Sequence, residues 1–499
     1  MKKLMKAIAL TLAGALMLGA AACAKKEEIV RVEDTRGLTA FEYTQANMTA
    51  TDKTGRMAPT GDLYNGNDVG VFYHVWHGSH ETPGEVLDLT KILEENPDYL
   101  TSDYLNVNSE RFHYWGEPLY GYYCSADPWV ITRHIELMMA MGIDFLVYDY
   151  TNAVSYDIAA DTIFEILQTY YDQGFDVPKV TFYTNTGSAN LICSLYRRYY
   201  EKGLYKDLWY APEGKPMIIG VGADTVSQQN RELFAMLRDE FFDFRESQWP
   251  DGKTTIENME IGFPWMDWTY PQKNFNGMMS VSLAQHPGAR MSSGPLTNNG
   301  RGYDCTKMRN YTANTELGTN YQGQWDTVLN NNADSSKQYV SQVLVTGFNE
   351  WMAQKLNDGN DSFFVDTFSE EYSRDIEMMK GGYDDNYVIQ TLLNTRQYRY
   401  TEAKHYIYPL NTMTLSDFSR EAWANVHTEY RDMVGDAMAR EWRDAFSTTV
   451  YTDTSNRNDI TDVKVVHNST DLFVYVKTAK EITAYNGTDT NWMTLYLGN

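Results

Sequence analysis

Apolar positions along this chain follow two alternating rhythms. Short, mostly apolar runs at 69–75, 143–148, 179–183, 216–221, 241–244, 260–263, 278–283 and 339–348 read as strands. Between them, apolar residues return every three or four positions, which reads as helix at 129–141, 158–171, 189–202 and 227–237. The first of these helices shows its ends plainly. Asp127 stands as N-cap and Pro128 at the first helical position, Ile131, Ile135, Met138 and Met139 share one side, and Gly142 closes it. Strand then helix, repeated about eight times over ~300 residues, predicts an α/β fold of the (β/α)8 TIM-barrel type. An open doubly wound sheet is the competing layout. It places a phosphate-binding glycine loop after its first strand, whereas this chain has His77-Gly78-Ser79-His80 there.

The rhythm changes after Arg399. Residues 406–420 read as a linker. From 421 the pattern shortens into alternating strands at 462–465, 472–476 and 492–497, with turns at Asn468-Ser469-Thr470-Asp471 and Asn486-Gly487. That predicts a small antiparallel β-sandwich. Fewer strands are visible than the roughly seven of an ordinary sandwich, and the sequence stops at Gly498-Asn499 directly after a strand. The expectation is therefore a partial, truncated module whose last strand offers an unpaired edge. The predicted layout is a signal peptide at 1–22, a polar tether at 23–66, a catalytic barrel at 67–405, the linker, and the sandwich at 421–499.

Composition changes the picture in two places. Hydrophobic residues make up 43% and charged residues 22% of the 499, as in an ordinary globular protein with a large core. The aromatics are unusual in kind, with 37 Tyr and 12 Trp against 20 Phe. Rings with a polar handle suit half-wet grooves, although Tyr-rich loops packed on a barrel would give the same count. At the N-terminus, Lys2, Lys3 and Lys6 precede an apolar stretch that ends in Ala20-Ala21-Ala22-Cys23. This is an export signal, too short and wrongly flanked for a spanning helix. Its end resembles a bacterial lipobox, which makes Cys23 the expected lipidation site and the cell envelope the expected location. A plain secretory signal is the alternative.

The formal net charge is −25, and cleavage after residue 22 removes three more lysines and no acid. Such a surface repels nucleic acid and anionic lipid, so membrane attachment is expected through the lipid alone. Cys124, Cys193 and Cys305 have no regular spacing, which argues against a disulfide framework or a zinc site and for buried thiols. Nothing in the sequence implies a partner subunit, and a monomer is expected.

The chemistry concentrates at predicted strand ends. Residues 342–354 read QVLVTGFNEWMAQ. Val343-Leu344-Val345 emerges into Gly347-Phe348 and then presents Asn349, Glu350 and Trp351. A carboxylate between an amide and an indole suits sugar chemistry, and a barrel places its chemistry at the C-terminal ends of its strands. Glycoside cleavage needs two carboxyl groups across the scissile bond. Glu350 is the first candidate, against a salt bridge at the barrel mouth. Asp149 is the second, delivered by Phe145-Leu146-Val147-Tyr148, against a helix cap or loop anchor. Asp267 sits between Trp265, Met266 and Trp268, a stacking environment. Glu246 is the weakest, placed here as a binding residue. Tyr73, Trp76, Asn185, Trp265 and His286 are further substrate-binding candidates at strand ends. His74 and His77 are three apart, hence on opposite faces of a strand and poorly placed for a shared metal. One of them, with His77 the choice here, would bind substrate. No metal ligand set, nucleophile elbow or phosphate loop is visible, and no cofactor is expected. Residues 363–382, dense in charge, read as a solvated helix start with local ion pairs, or else as a wall of the site.

Three segments, in this order, resemble the barrel hydrolases of glycoside hydrolase family 99 and their neighbours in polysaccharide biosynthesis. They are GVFYHVWHG (70–78), YCSADPWVITRHIELMMAMGIDFLVYDY (123–150) and TGFNEW (346–351). The resemblance spans roughly residues 68–400. It implies a retaining, endo-acting enzyme on α-mannosides that uses the substrate's own 2-hydroxyl as nucleophile, with Glu350 as the first of two glutamates three residues apart. The second position holds Ala353. Either another strand supplies the partner, Asp149 or Asp267, or the barrel binds glycan without turning it over. Residues around Trp423, Tyr430, Gly435-Asp436 and 456–460 resemble the start of a carbohydrate-binding module of family 9 type, which implies a structural calcium with no ligand set that can be named. The expected function is thus a surface-anchored glycoside hydrolase acting on a polysaccharide or glycan. The alternative is a glycan-capturing lipoprotein. A transferase would need a nucleotide-sugar site, and the sequence shows none.

Overall fold

The computed structural model describes residues 49–59, 61–248, 260–287, 290–292, 298–402, 420–423, 426, 429–467, 470–489 and 492–495. The expected signal peptide, Cys23 and most of the expected linker lie outside them. Among the described residues no helix is long and apolar enough to cross a membrane.

The chain divides into two compact units, and the larger comprises Ala46–Ala403 with Ala439–Thr454. It is built on eight parallel strands: β1 (Asp68–Tyr73), β2 (Phe145–Tyr150), β3 (Lys179–Thr184), β4 (Met217–Gly220), β5 (Asp243–Gln248), β6 (Gly262–Pro264), β7 (Met278–Val281) and β8 (Gln342–Val345). Their order in the sheet is β6–β5–β4–β3–β2–β1–β8–β7. β6 and β7 approach each other at the seam without a ladder, so the sheet nearly closes into a barrel. All eight sequence-predicted strands are present. Helices α1 (Pro128–Met141), α2 (Asp157–Asp172), α3 (Ser188–Leu195), α4 (Arg231–Met236), α5 (Thr319–Ala333) and α6 (Asn386–Arg399) follow β1, β2, β3, β4, β7 and β8. Between β6 and β7 the described chain is loop.

Local chemistry explains these elements. Every residue of β2 is buried, as a strand covered on both faces requires. Asp127 caps α1 by accepting from the Trp129 N–H, and Gly142, at φ 74°, turns the chain out of it in the left-handed conformation. The barrel interior is filled by Phe72, Phe145, Val147, Tyr183, Met217, Ile219, Phe263, Met278 and Leu344. Gly70 is opposite Phe145 in the β1–β2 register, and a β-carbon there would overlap the Phe145 ring. Gly70→Ala is therefore expected to lower stability by about 1–3 kcal/mol through overpacking, read by urea unfolding. An unchanged midpoint would contradict this.

Two expected boundaries move. The last part of the expected tether is ordered: Gly61–Tyr64 pairs antiparallel with Tyr400–Glu402, and Asn65 and Asn67 donate to the Tyr398 carbonyl. The hairpin Arg440–Arg443/Val450–Asp453, expected in the C-terminal module, packs in the barrel unit. Arg440 there forms a buried ion pair with Asp127, and Tyr451 accepts from the Tyr122 N–H. Cys124, Cys193 and Cys305 are free and buried.

The smaller unit includes Lys404–Met438 and Ser455–Asn499. Its described residues form a three-stranded antiparallel sheet in which Ile460–His467 lies between Glu429–Arg431 and Leu472–Thr478. Val466 and Phe473 pack with Trp423 and Val426. The strand expected at 492–497 is not formed over the described residues 492–495.

Candidate active site

Four strands deliver side chains to one cleft of about 480 Å³ at their C-terminal ends. Beyond β1 the chain stays extended for a few residues, and the period of two sends Phe72, His74 and Trp76 to the same face. β2 brings Asp149, β6 leads to Trp265, and the loop after β8 brings Glu350. His80, Phe112, Asp366 and Arg374 complete the polar and aromatic walls, and Arg374 lies 4.9 Å over the Trp265 ring.

His74 joins the two carboxylates. Its Nε2 is 3.5 Å from Glu350 Oε1 and 3.7 Å from Asp149 Oδ2. Those two oxygens are therefore at most ~7.2 Å apart, within the span over which paired carboxyl groups act on a glycosidic bond. The other Glu350 oxygen is ion-paired with Arg374 Nη2. Asp149 accepts from Trp76 Nε1 at 2.9 Å, Thr151 N at 3.1 Å and Thr151 Oγ1 at 2.7 Å. Burial works against a charged His74, but Glu350, Asp149 and Asp375 outweigh it and hold its pKa above the usual imidazole value. Burial likewise opposes charge on Arg374, and Glu350, Asp366 and Asp375 overcome it. Asp375 is buried beneath the site and accepts from the Glu350 backbone N–H at 2.6 Å. Burial first, and then the Glu350 charge, push its pKa up to about 6.

Beneath Glu350 lies a second, fully buried network. Asn349 Oδ1 accepts from the His74 N–H at 2.8 Å, and its amide donates to the His74 carbonyl and to Tyr123 Oη. Trp351 stacks on Trp115, with ring centres 4.3 Å apart and 15° between planes, and donates to Glu377. Glu377 also accepts from Tyr123 Oη at 2.6 Å and lies 2.9 Å from His134 Nε2. His134 Nδ1 is 2.9 Å from Tyr73 Oη. Asn349, Trp351 and Tyr73 are therefore the frame that holds the site, not the substrate-binding walls expected from the sequence. Tyr73 faces outward because it alternates with Phe72 and His74. Trp351 is turned away because stacking on Trp115 buries its whole indole.

Other expectations are corrected in the same way. His77 lies on the far face of the chain, packed against Tyr123 and Tyr114, and burial holds its pKa well below the usual value. Asp267 does not line the cleft. Its carboxylate accepts from Thr269 N, Thr269 Oγ1 and Lys273 N, which makes it the anchor of its own loop. Glu246 points out of the barrel and accepts from the Gly222 N–H, while its neighbour Ser247 points in, 3.0 Å from Tyr183 Oη. Asn185 accepts from Ser247 Oγ and does not line the cleft. His286 lies behind the wall, 3.4 Å from Arg374 Nη1, with its pKa lowered to about 4 by burial and by Arg374. Of the expected residues, Glu350, Asp149, Trp76 and Trp265 are brought together.

The residues missed are His74, Arg374, Asp366 and Asp375. The period of two through Phe72-Tyr73-His74-Val75-Trp76 carried the signal for His74. Residues 363–382 do not begin a solvated helix. They form the second of the two readings, a wall, and Arg374, Asp375 and Glu377 in it are buried. Ala353 also lines the cleft, so the position where family resemblance implies a second glutamate faces the site without an ionisable group.

No family model matches the sequence, and no curated protein matches it. Two solved structures of the GH99 endo-alpha-mannosidase from Bacteroides thetaiotaomicron are similar to it. One, in complex with BIS-TRIS-propane, has 14% identity and a TM-score of 0.39, and the other has 16% identity and a TM-score of 0.37. Each similarity covers 67% of this chain and 98% of the other. What the fold and site define by themselves is a (β/α)8-type barrel with an acidic, aromatic-walled cleft at the C-terminal ends of its strands.

Proposed function

We propose that this protein is a glycoside hydrolase that cleaves a polysaccharide or glycan in this cleft, held at the bacterial cell envelope by lipid on Cys23. One arrangement carries the proposal: Glu350 and Asp149 face the same cleft across His74, between the rings of Phe72, Trp76, Phe112 and Trp265. Two carboxylates around one hollow match the needs of glycosidic cleavage, and flat rings beside them match the apolar faces of a sugar. The anchor is supported by the sequence before and at Cys23 alone.

A second reading, glycan capture without turnover, is favoured by the Glu350–Arg374 ion pair and by Ala353 in the cleft wall. The two readings part in one experiment. The protein lacking residues 1–22 is incubated with α-mannans, α-glucans and arabinans, and both binding and released reducing ends are measured. Hydrolysis of at least one member is the expected result. Binding with no reducing ends from any of them would establish capture instead.

A further inference from the structure

We propose that His74, rather than either carboxyl group, is the catalytic proton donor of this cleft. The inference rests on the hydrolase reading and assigns a role within it. Cleavage of an unactivated glycoside needs an acid for the departing oxygen. Neither carboxyl group is arranged to be that acid. Glu350 is ion-paired with Arg374 through one oxygen and faces His74 with the other. Asp149 accepts three hydrogen bonds, from Trp76 and from the N–H and hydroxyl of Thr151. The oxygens of both carboxylates thus already face donors, an arrangement for accepting a proton.

The remaining candidates are few. Arg374 does not give up its proton. His80 lines the cleft, but burial lowers its pKa. Asp366 is at the rim and faces Arg374 and His286. His74 lines the cleft, and its Nε2 lies within 3.7 Å of both carboxylates. The groups that face it are Glu350 from the loop after β8, Asp149 from β2, Asp375 from the wall segment, and the rings of Phe72 and Trp76. His77, on the far side of the chain, has its pKa held well below the usual value, by burial first. Three carboxylates thus favour the imidazolium, with burial alone against it.

The step balances without a co-reactant other than water. As the bond between the anomeric carbon and the glycosidic oxygen breaks, the Nε2 proton passes to that oxygen, and the leaving sugar departs as an alcohol. Water supplies the oxygen that bonds to the anomeric carbon. Its released proton goes to Glu350 or Asp149 and from there to Nε2, which restores the imidazolium.

The test compares two leaving groups on the oligosaccharide that the protein releases from the panel above: 2,4-dinitrophenolate, which departs without protonation, and methoxide, which does not. His74→Gln is expected to lose about 10²–10⁴-fold in kcat/KM on the methyl glycoside and less than tenfold on the dinitrophenyl glycoside. The alkaline limb of its pH profile should vanish. An equal loss on both probes, or a retained alkaline limb, overturns the assignment of His74 and leaves the hydrolase reading intact. No turnover of any panel member by the unsubstituted protein overturns the hydrolase reading itself, and the assignment with it. If the variant does not fold, the unsubstituted protein decides. Its alkaline limb on the methyl glycoside should move to lower pH on warming, as an imidazolium does, whereas an unmoved limb marks a carboxyl group and contradicts the proposal.

Discussion

Glu350→Gln is expected to reduce kcat/KM for glycan hydrolysis by about 10²–10⁴-fold, the loss typical of removing a positioned acid–base group. The replacement keeps the shape and removes the charge. One side-chain oxygen becomes an amide, which must face either Arg374 or His74, and both of those are donors. His74 also loses the largest of the three carboxylate contributions that raise its pKa. Glycan binding should change little, because Trp76, Trp265, Phe72 and Phe112 are untouched. The effect should therefore fall on kcat and not on the dissociation constant, which titration of the same glycan into both proteins will show. A variant that hydrolyses at the native rate would remove Glu350 from the reaction.

The largest effect on stability is expected at Glu377→Leu. This carboxylate is fully buried and receives hydrogen bonds from Trp351 and Tyr123 beside its contact with His134. Removing one member of such a buried set leaves the others desolvated without a partner, at a cost of about 3–5 kcal/mol. The loss also reaches the cleft. Tyr123 and Trp351 are the struts on which Asn349 and Glu350 rest, and Asn349 holds the backbone of His74. Activity should fall with stability, while Glu377→Gln, which keeps an acceptor, should cost less. Urea unfolding of the three proteins checks this. A change below about 1 kcal/mol for the leucine variant would mean that the network does not hold the site.

Much of the barrel was legible in the sequence. Strands such as β2, Phe145–Tyr150, are largely apolar runs that need no tertiary information to read, and α1 carries its own start and stop in Asp127, Pro128 and Gly142. Glu350, Asp149, Trp76 and Trp265 were legible because position at a strand's C-terminal end is enough to place a side chain near a barrel mouth. The remainder turns on which way a side chain faces after the strand has ended. Asn349 and Trp351 flank Glu350 in sequence yet point into the protein. Asp267 lies among tryptophans but serves its own loop. Arg374, Asp375 and Glu377 look like solvated charges because their partners, Glu350, Trp351, Tyr123 and His134, come from other segments. The hairpin at Arg440–Arg443 reads like its sequence neighbours, and its contacts with Asp127 and Tyr122 show that it belongs with the barrel.

The central claim is that the charged pair in this cleft cleaves glycosidic bonds. The most direct measurement is the release of new reducing ends from the panel glycan that binds tightest, followed over time for the unsubstituted protein, Glu350→Gln and Asp149→Asn at saturating glycan. Steady release by the first and near-complete loss in both variants, with binding preserved in all three, is the expected result. Equal binding by all three with no release by any of them would contradict it.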